Sequence, residues 1–300
     1  MRSAAFFLAL LLALPAAADY REFRRITADP ALQARVRRAA EASLAAFPAL
    51  KPENLGITVV DLTRPATIGR ADLNGDTSFY PASVIKLFYM AGIYMQRKQD
   101  LGDVDRALKE MIVVSDNDAT AYLVDILAGT CAGEELQGRA LRRFTEQRRD
   151  INRHFERLGY DISAMMKPWS FGPYGRELQL LGENRVNRNR LTPNATAAIL
   201  TWIARRRTPG ADEMMELLHR PLDPRRDDEN QVDEFIGEAL PAGSRLWSKG
   251  GWTSEVRLDA AYFELPDERR LVVVIFTRGV SKEKDILPAI ARNLLEELSQ

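Results

Sequence analysis

The chain has 300 residues, of which 46% are apolar and 28% charged, the composition of a globular protein long enough for one large domain or two lobes sharing a core. Lysine plus arginine and aspartate plus glutamate balance at 42 each, so nothing favours nucleic acid or an acidic membrane surface as a partner. The single cysteine, Cys131, excludes an internal disulfide, and with only His154 and His219 beside it no zinc site has its usual ligands.

The N-terminus reads as a secretory leader. Arg2 supplies the positive region, Ala4 to Leu14 an apolar run, and Ala16-Ala17-Ala18 a small-residue cleavage site. The run is shorter than the ~18 uncharged residues a membrane span needs, and no later stretch reaches that length. Residues 1–18 are therefore expected to be removed after Ala18, leaving residues 19–300 periplasmic or secreted. No cysteine near the cleavage point suggests a lipid anchor.

Residues 29–47 carry Leu32, Val36, Ala39, Ala40, Leu44 and Phe47 at helical spacing. Gly56 to Leu62 and Ala66 to Leu73 read as two strands of an antiparallel hairpin, the second closed by Asn74-Gly75. Then comes Tyr80-Pro81-Ala82-Ser83-Val84-Ile85-Lys86-Leu87, a turn running into a helix that is apolar on most faces. Spacing i to i+3 puts Ser83 and Lys86 on one side of that helix, about 5–6 Å apart at Cβ. The hydroxyl also sits where helical N–H groups are unsatisfied. Serine as nucleophile, amine as base and free amides as oxyanion donors fit acyl transfer. Equally, Ser83 fits a helix cap and Lys86 a snorkelling side chain. A second Ser-x-x-Lys pair, Ser281 and Lys284, lies in a charged loop.

Helices are expected through Lys86–Lys98, Asp103–Val113, after Ser115, over the arginine-rich residues 134–158, and from Thr192-Pro193, a cap followed by a first-turn proline. Cys131 falls at a helix–loop junction. Residues 160–191 lack periodicity and hold several glycines and prolines, the mark of a functional loop. Arg245–Gly251, Arg257–Leu265 and Leu271–Arg278 read as strands, and Leu287 to Leu298 as a closing helix. Strands at both ends and helices between predict an α+β fold: one antiparallel sheet from residues 19–80 and 240–300, with a helical lobe, residues 81–239, inserted.

Two further motifs join Ser83 and Lys86: Ser115-Asp116-Asn117 in a break between helices, and Lys249-Gly250-Gly251 on a strand, followed by Trp252-Thr253. Each alone fits a cap or a bulge. In this order the trio resembles the signature of class A β-lactamases and penicillin-binding proteins. Thr192-Pro193, Leu240-Pro241-Ala242-Gly243 and Arg257-Leu258-Asp259 extend the resemblance over nearly the whole mature chain.

The resemblance implies a three-layer β-lactamase/transpeptidase-like fold and, without any cofactor or metal, a serine hydrolase acting on β-lactams or peptidoglycan peptides, as a monomer. Ser83 would be the nucleophile and Lys86 the base, its pKa lowered by burial and by Lys249. Ser115 would relay the proton to the leaving nitrogen, and Asn117 would bind both substrate and Lys86. The amides of Ser83 and Trp252 would form the oxyanion hole, Gly250 and Gly251 would let substrate lie against the strand, and Thr253 with Arg257 would bind a substrate carboxylate. Three features depart from the family. The segment between Ser83 and Ser115 is short. The usual Glu-x-x-Leu-Asn stretch is missing, leaving Glu177, with Glu183 second, as the carboxylate expected to activate water, and Asn184 or Asn187 for the amide. Gly250 and the bulky Trp252 stand where the family has a hydroxyl and a small residue.

Overall fold

The structure is a computed structural model, described over residues 18–96, 102–169, 172–222 and 231–300. The expected leader, apart from Ala18, lies outside the described residues. Among those residues the elements run α1 (Tyr20–Phe23), β1 (Thr27–Ala28), α2 (Pro30–Ala46), β2 (Leu55–Asp61), β3 (Gly69–Leu73), α3 (Lys86–Gln96), α4 (Gly102–Val113), α5 (Asn117–Ala128), α6 (Gly138–Arg157) and α7 (Gly175–Leu181). Then follow α8 (Pro193–Ala204), α9 (Ala211–Leu218), β4 (His219–Arg220), β5 (Arg245–Trp252), β6 (Val256–Glu264), β7 (Arg270–Arg278) and α10 (Ile286–Leu298). None of these helices is long and apolar enough to cross a membrane.

One sheet takes the strands in the order β1-β3-β2-β7-β6-β5-β4. The expected hairpin forms, with Ile57 opposite Leu73 and Asp61 opposite Gly69, and strands from the two chain ends meet where β2 pairs antiparallel with β7. Strand β7 explains the layering. Leu271, Val273 and Ile275 pack with Val36 and Ala40 of α2 and Leu287 and Ile290 of α10 on one face. Val272, Val274 and Phe276 pack toward the helical side, in the same core as Leu87 and Phe88 of α3 and Leu200 of α8. A strand buried on both faces needs an unbroken apolar run rather than an alternating one. At roughly 1.5–3 kcal/mol for each buried large aliphatic side chain, these six residues outweigh any single helix cap in fixing the three layers.

Local signals set the helix starts. Asp29 accepts from the amides of Ala31 and Leu32 at the head of α2, and Thr192 accepts from Ala195 N ahead of Pro193 at the head of α8. Two expectations are corrected. The segment 81–239 is not wholly helical, because β4 adds an edge strand beside β5; two residues are too few to show alternation. The loop expected over 160–191 contains α7, whose seven residues make less than two and a half turns of pattern.

A buried ion cluster ties α5, α6, the following segment and α7 together. The Arg148 side chain, fully buried, donates to Thr130 Oγ1 at 2.9 Å, Met165 O at 3.0 Å and Asp125 Oδ1 at 3.3 Å, and pairs with Glu177. Lys167 pairs with Asp125 and lies 3.6 Å from Glu177 Oε1. Two cations thus balance two carboxylates. Removing one member leaves a buried charge uncompensated, which typically costs about 3–5 kcal/mol. Arg148→Met is therefore expected to lower unfolding stability by about that amount, and Arg148→Met with Glu177→Leu to recover most of it; urea unfolding of the two variants reads the difference.

Candidate active site

Ser83 lies in a single 3₁₀ turn, Ala82–Ile85, that leads directly into α3. Ala82 at φ 44° makes the sharp entry. Strand β5 lies against this turn so closely that a Cβ on Gly251 would come within 2.7 Å of Ser83 N and 2.9 Å of Val84 N. The close approach of the Ser83 turn therefore requires glycine at 251. A Cβ on Gly250, on the other face, would stand 2.6 Å from the Phe235 ring.

Lys86, one turn on, is 1% exposed. Its Nζ donates to Ser115 O at 2.5 Å and Asn117 Oδ1 at 2.9 Å, and lies 3.1 Å from Ser115 Oγ and 3.4 Å from Asp116 O. None of these contacts is a carboxylate, and none is Ser83. Burial pulls the Lys86 pKa down to about 7, with Asp116 pulling the other way. Burial, rather than the second lysine, produces the shift. Such an amine is partly neutral near neutrality and can take a proton.

Ser115 sits between α4 and α5 with φ 61°. Asp116 is the cap of α5, accepting from Ala119 N at 2.6 Å, which frees Ser115 and Asn117 to face Lys86. The cap and the cleft thus divide the triplet between them. Lys249, fully buried on β5, reaches Ser115 Oγ at 3.0 Å, Gln231 Oε1 at 2.6 Å and Gly250 O at 2.9 Å. Burial pushes its pKa well down, with Lys86 and Arg220 adding to the effect. Lys86, Ser115, Asn117 and Lys249 are thus joined by hydrogen bonds, and the main chain of Ser83 lies against Gly251 of the strand that carries Lys249.

Sequence reasoning missed three contributors. Gln231 donates through Nε2 to Val113 O at 2.9 Å while accepting from Lys249, so it joins the end of α4 to the lysine. Arg220 donates to Ile112 O at 2.7 Å, Val113 O at 2.9 Å and Ser248 O at 3.3 Å, clamping the same helix end onto β5. Phe235 packs against Trp252 with ring centroids 5.8 Å apart and the planes tilted by 58°. No motif surrounds any of them, so only the fold could reveal them.

Glu177 is 0% exposed and belongs to the Arg148–Lys167–Asp125 cluster, its Oε2 having no hydrogen-bond partner. Burial raises its pKa, with Arg148 and Lys167 opposing. Glu183 is solvent-exposed, and Asn187 donates to Leu180 O. Neither carboxylate touches the nucleophile turn. Thr253 closes the β5–β6 turn by accepting from the amides of Glu255 and Val256. Arg257 is 5% exposed and already paired, with Glu234 Oε2 at 2.9 Å and Ser281 O at 3.2 Å. Trp252, by contrast, is 53% exposed on the rim. Cys131 is an exposed free thiol outside the site, after α5.

A cleft of about 530 Å³ opens beside Ser115, walled by Gln231, Glu234, Phe235, Trp252 and Lys284. The fold and this cleft place the molecule among β-lactamase- and penicillin-binding-protein-like enzymes. The chain belongs to the beta-lactamase enzyme family, whose sequence model it matches over residues 103–298, a span that includes Ser115 and Lys249 and begins after Ser83 and Lys86. A beta-lactamase from Sphaerobacter thermophilus is 21% identical with a TM-score of 0.59, over 87% of this chain and 96% of that one. PBP-A is 14% identical with a TM-score of 0.63, over 91% and 99%. A PBP-A mutant solved as an acyl-enzyme complex with penicillin G is 15% identical with a TM-score of 0.61, over 89% and 96%. A comparison with curated proteins found no match.

Two outcomes are expected. Acylation should rise with pH to a plateau, with its midpoint set by the Lys86 pKa of about 7, because only the neutral amine accepts the proton; stopped-flow rates across that range check it, and a flat profile removes Lys86 as base. Gly251→Ala should cost about 1–3 kcal/mol of stability from overpacking but a far larger share of the acylation rate, because the added methyl displaces the backbone that carries the nucleophile. Thermal unfolding measured beside the acylation rate separates the two effects.

Proposed function

We propose that the chain is an exported serine hydrolase that opens β-lactams or related amides through an acyl-enzyme on Ser83. The observation that carries the reading is the buried chain Lys86–Ser115–Lys249, in which two amines meet on one hydroxyl. Ser83 Oγ attacks the carbonyl carbon while its proton passes to the neutral Lys86 amine. The carbonyl electrons move onto oxygen, where the N–H groups of Ser83 and Trp252 are the donors at hand; each such donor typically contributes about 2.7–4 kcal/mol to the transition state. Collapse expels the nitrogen, which takes the proton from Lys86 by way of the Ser115 hydroxyl. Asn117, already on Lys86 through Oδ1, keeps its amide hydrogens for the acyl side chain. Export rests on the leader at residues 1–18, and the site is complete within one chain, consistent with a monomer.

Fast release of the acyl group needs a base for water. Glu177 is held by Arg148 and Lys167, and among the described residues no carboxylate is hydrogen-bonded to Lys86. That observation favours the second reading, a penicillin-binding or D-alanyl-D-alanine-peptidase-like enzyme with a long-lived acyl-enzyme. A non-catalytic relative that binds without acylation is the remaining alternative.

Intact-protein mass spectrometry over time, with a penicillin and with its methyl ester, tests all three. One adduct per chain, mapped to Ser83 and absent from Ser83→Ala, is expected, and it should persist for many minutes. Repeated turnover of a chromogenic cephalosporin would favour the lactamase reading. An adduct that survives Ser83→Ala, or reversible binding with no mass change for either compound, would refute the proposal.

A further inference from the structure

Lys249 and Arg257 are buried and do not themselves line the cleft beside Ser115; one short strap that does line it supplies a partner to each. Residues 231–235 put Gln231 Oε1 on Lys249 at 2.6 Å and Glu234 Oε2 on Arg257 at 2.9 Å. The other Glu234 oxygen accepts from Lys284 Nζ at 2.6 Å. The strap is held firmly: Ile236 N donates to the buried Asp259 at 3.0 Å, and Gln231 and Glu234 both keep left-handed backbones, with φ 53° and 67°. Non-glycine residues hold such conformations only where their surroundings fix them.

The consequence is chemical. Arg257 stands opposite Trp252 in the β5–β6 register, on the face to which Gly250 belongs, and so borders the substrate end of β5. An unpaired arginine there would attract a carboxylate. This one is covered by Phe235, with its guanidinium 5.9 Å from the ring centroid, and is neutralised from within the chain. The Phe235 ring also fills the space a side chain at position 250 would need. This end of the cleft is lined by an aromatic pair, Phe235 with Trp252, by Asp233 and Lys284, and by the Glu234 carboxylate, which Arg257 and Lys284 already engage. A substrate carboxylate would have to displace Glu234 from Arg257, or lie beside it and be repelled.

We propose that Glu234 is a specificity-determining residue that turns this end of the cleft against carboxylate-bearing acyl donors, so that the chain acylates on uncharged amides or esters with an apolar group at that position. The inference rests on the acyl-enzyme reading of Ser83, and it names the substrate class.

A penicillin and its methyl ester are the probes, since they share one acyl group and differ in the carboxylate. Second-order rates of Ser83 acylation by intact mass are expected to favour the ester in the native chain by about tenfold, a ratio within reach of displacing one partly buried ion pair. Glu234→Gln, which keeps the shape and removes the charge, should shift the ratio toward the acid by about tenfold; adding Arg257→Ala should abolish that shift. Faster acylation by the acid in the native chain overturns the proposal without any variant, so a misfolded mutant cannot shelter it. An unchanged ratio in Glu234→Gln overturns it as well. Labelling of Ser83 by neither compound overturns the acyl-enzyme reading, and this inference with it.

Discussion

The site depends on a hydroxyl with one proton placed between two amines. Ser115 Oγ lies 3.1 Å from Lys86 Nζ and 3.0 Å from Lys249 Nζ. Each amine has two firm acceptors besides: Ser115 O and Asn117 Oδ1 for Lys86, Gln231 Oε1 and Gly250 O for Lys249. A hydroxyl can donate once. If both lysines were ammonium ions, each would point a third hydrogen at Ser115, and two like charges would share a nearly dry space. One neutral amine, accepting from the hydroxyl, and one ammonium ion, donating to it, satisfy every partner. The Ser115 proton can then move with the charge between the two lysines. Burial makes the neutral form accessible near pH 7 at Lys86, the amine that shares its helix with the nucleophile.

Holding that geometry falls to the backbone around it. Two elements distant in sequence must bring Ser115 and Lys249 within hydrogen-bond reach, and Arg220 does much of this by binding the last carbonyls of α4 and the carbonyl of Ser248 together. Gln231 repeats the link from the cleft side. Ser115 in turn accepts a left-handed backbone, unusual for a residue with a side chain. The nucleophile turn is located differently, by direct contact of main chain with main chain at Gly251. Fixed contacts of this kind matter because catalytic gain falls off steeply when reacting groups drift by an ångström.

What could be read in the sequence divides along the same line. The sheet was legible because two-sided burial writes itself as Leu271-Val-Val-Val-Ile-Phe276, and helix starts were legible because Asp29, Thr192 and Pro193 act on their nearest neighbours. Ser83, Lys86, Ser115, Asn117 and Lys249 could be found because short motifs preserve their order. Longer-range pairings could not. Arg257 looks like a free cation in sequence, and only the fold brings Glu234, 23 positions earlier, against it. Glu177 occupies a plausible position before Pro193, yet Arg148, 29 positions before it, decides its fate. In both cases the error concerns a charge whose partner comes from another element.

Glu177, expected as the carboxylate that activates water, sits in an ion cluster of its own. A general base must reach the water it activates and have proton affinity to spare. Glu177 is fully buried, with Oε1 engaged by Arg148 and Lys167 and Oε2 left without a hydrogen-bond partner, and it lines neither the Ser115 cleft nor the one lined by Tyr80, Asn184 and Arg188. Its burial does raise its pKa, but Arg148 and Lys167 oppose that and hold the carboxylate in place. The loop carrying α7 is thus secured by an internal ion cluster instead of by contact with the nucleophile. On the proposed acyl-enzyme reading, acylation and release would draw on one and the same base, Lys86, which could serve release only once its proton had left with the nitrogen. Such a site would form the covalent intermediate faster than it released it.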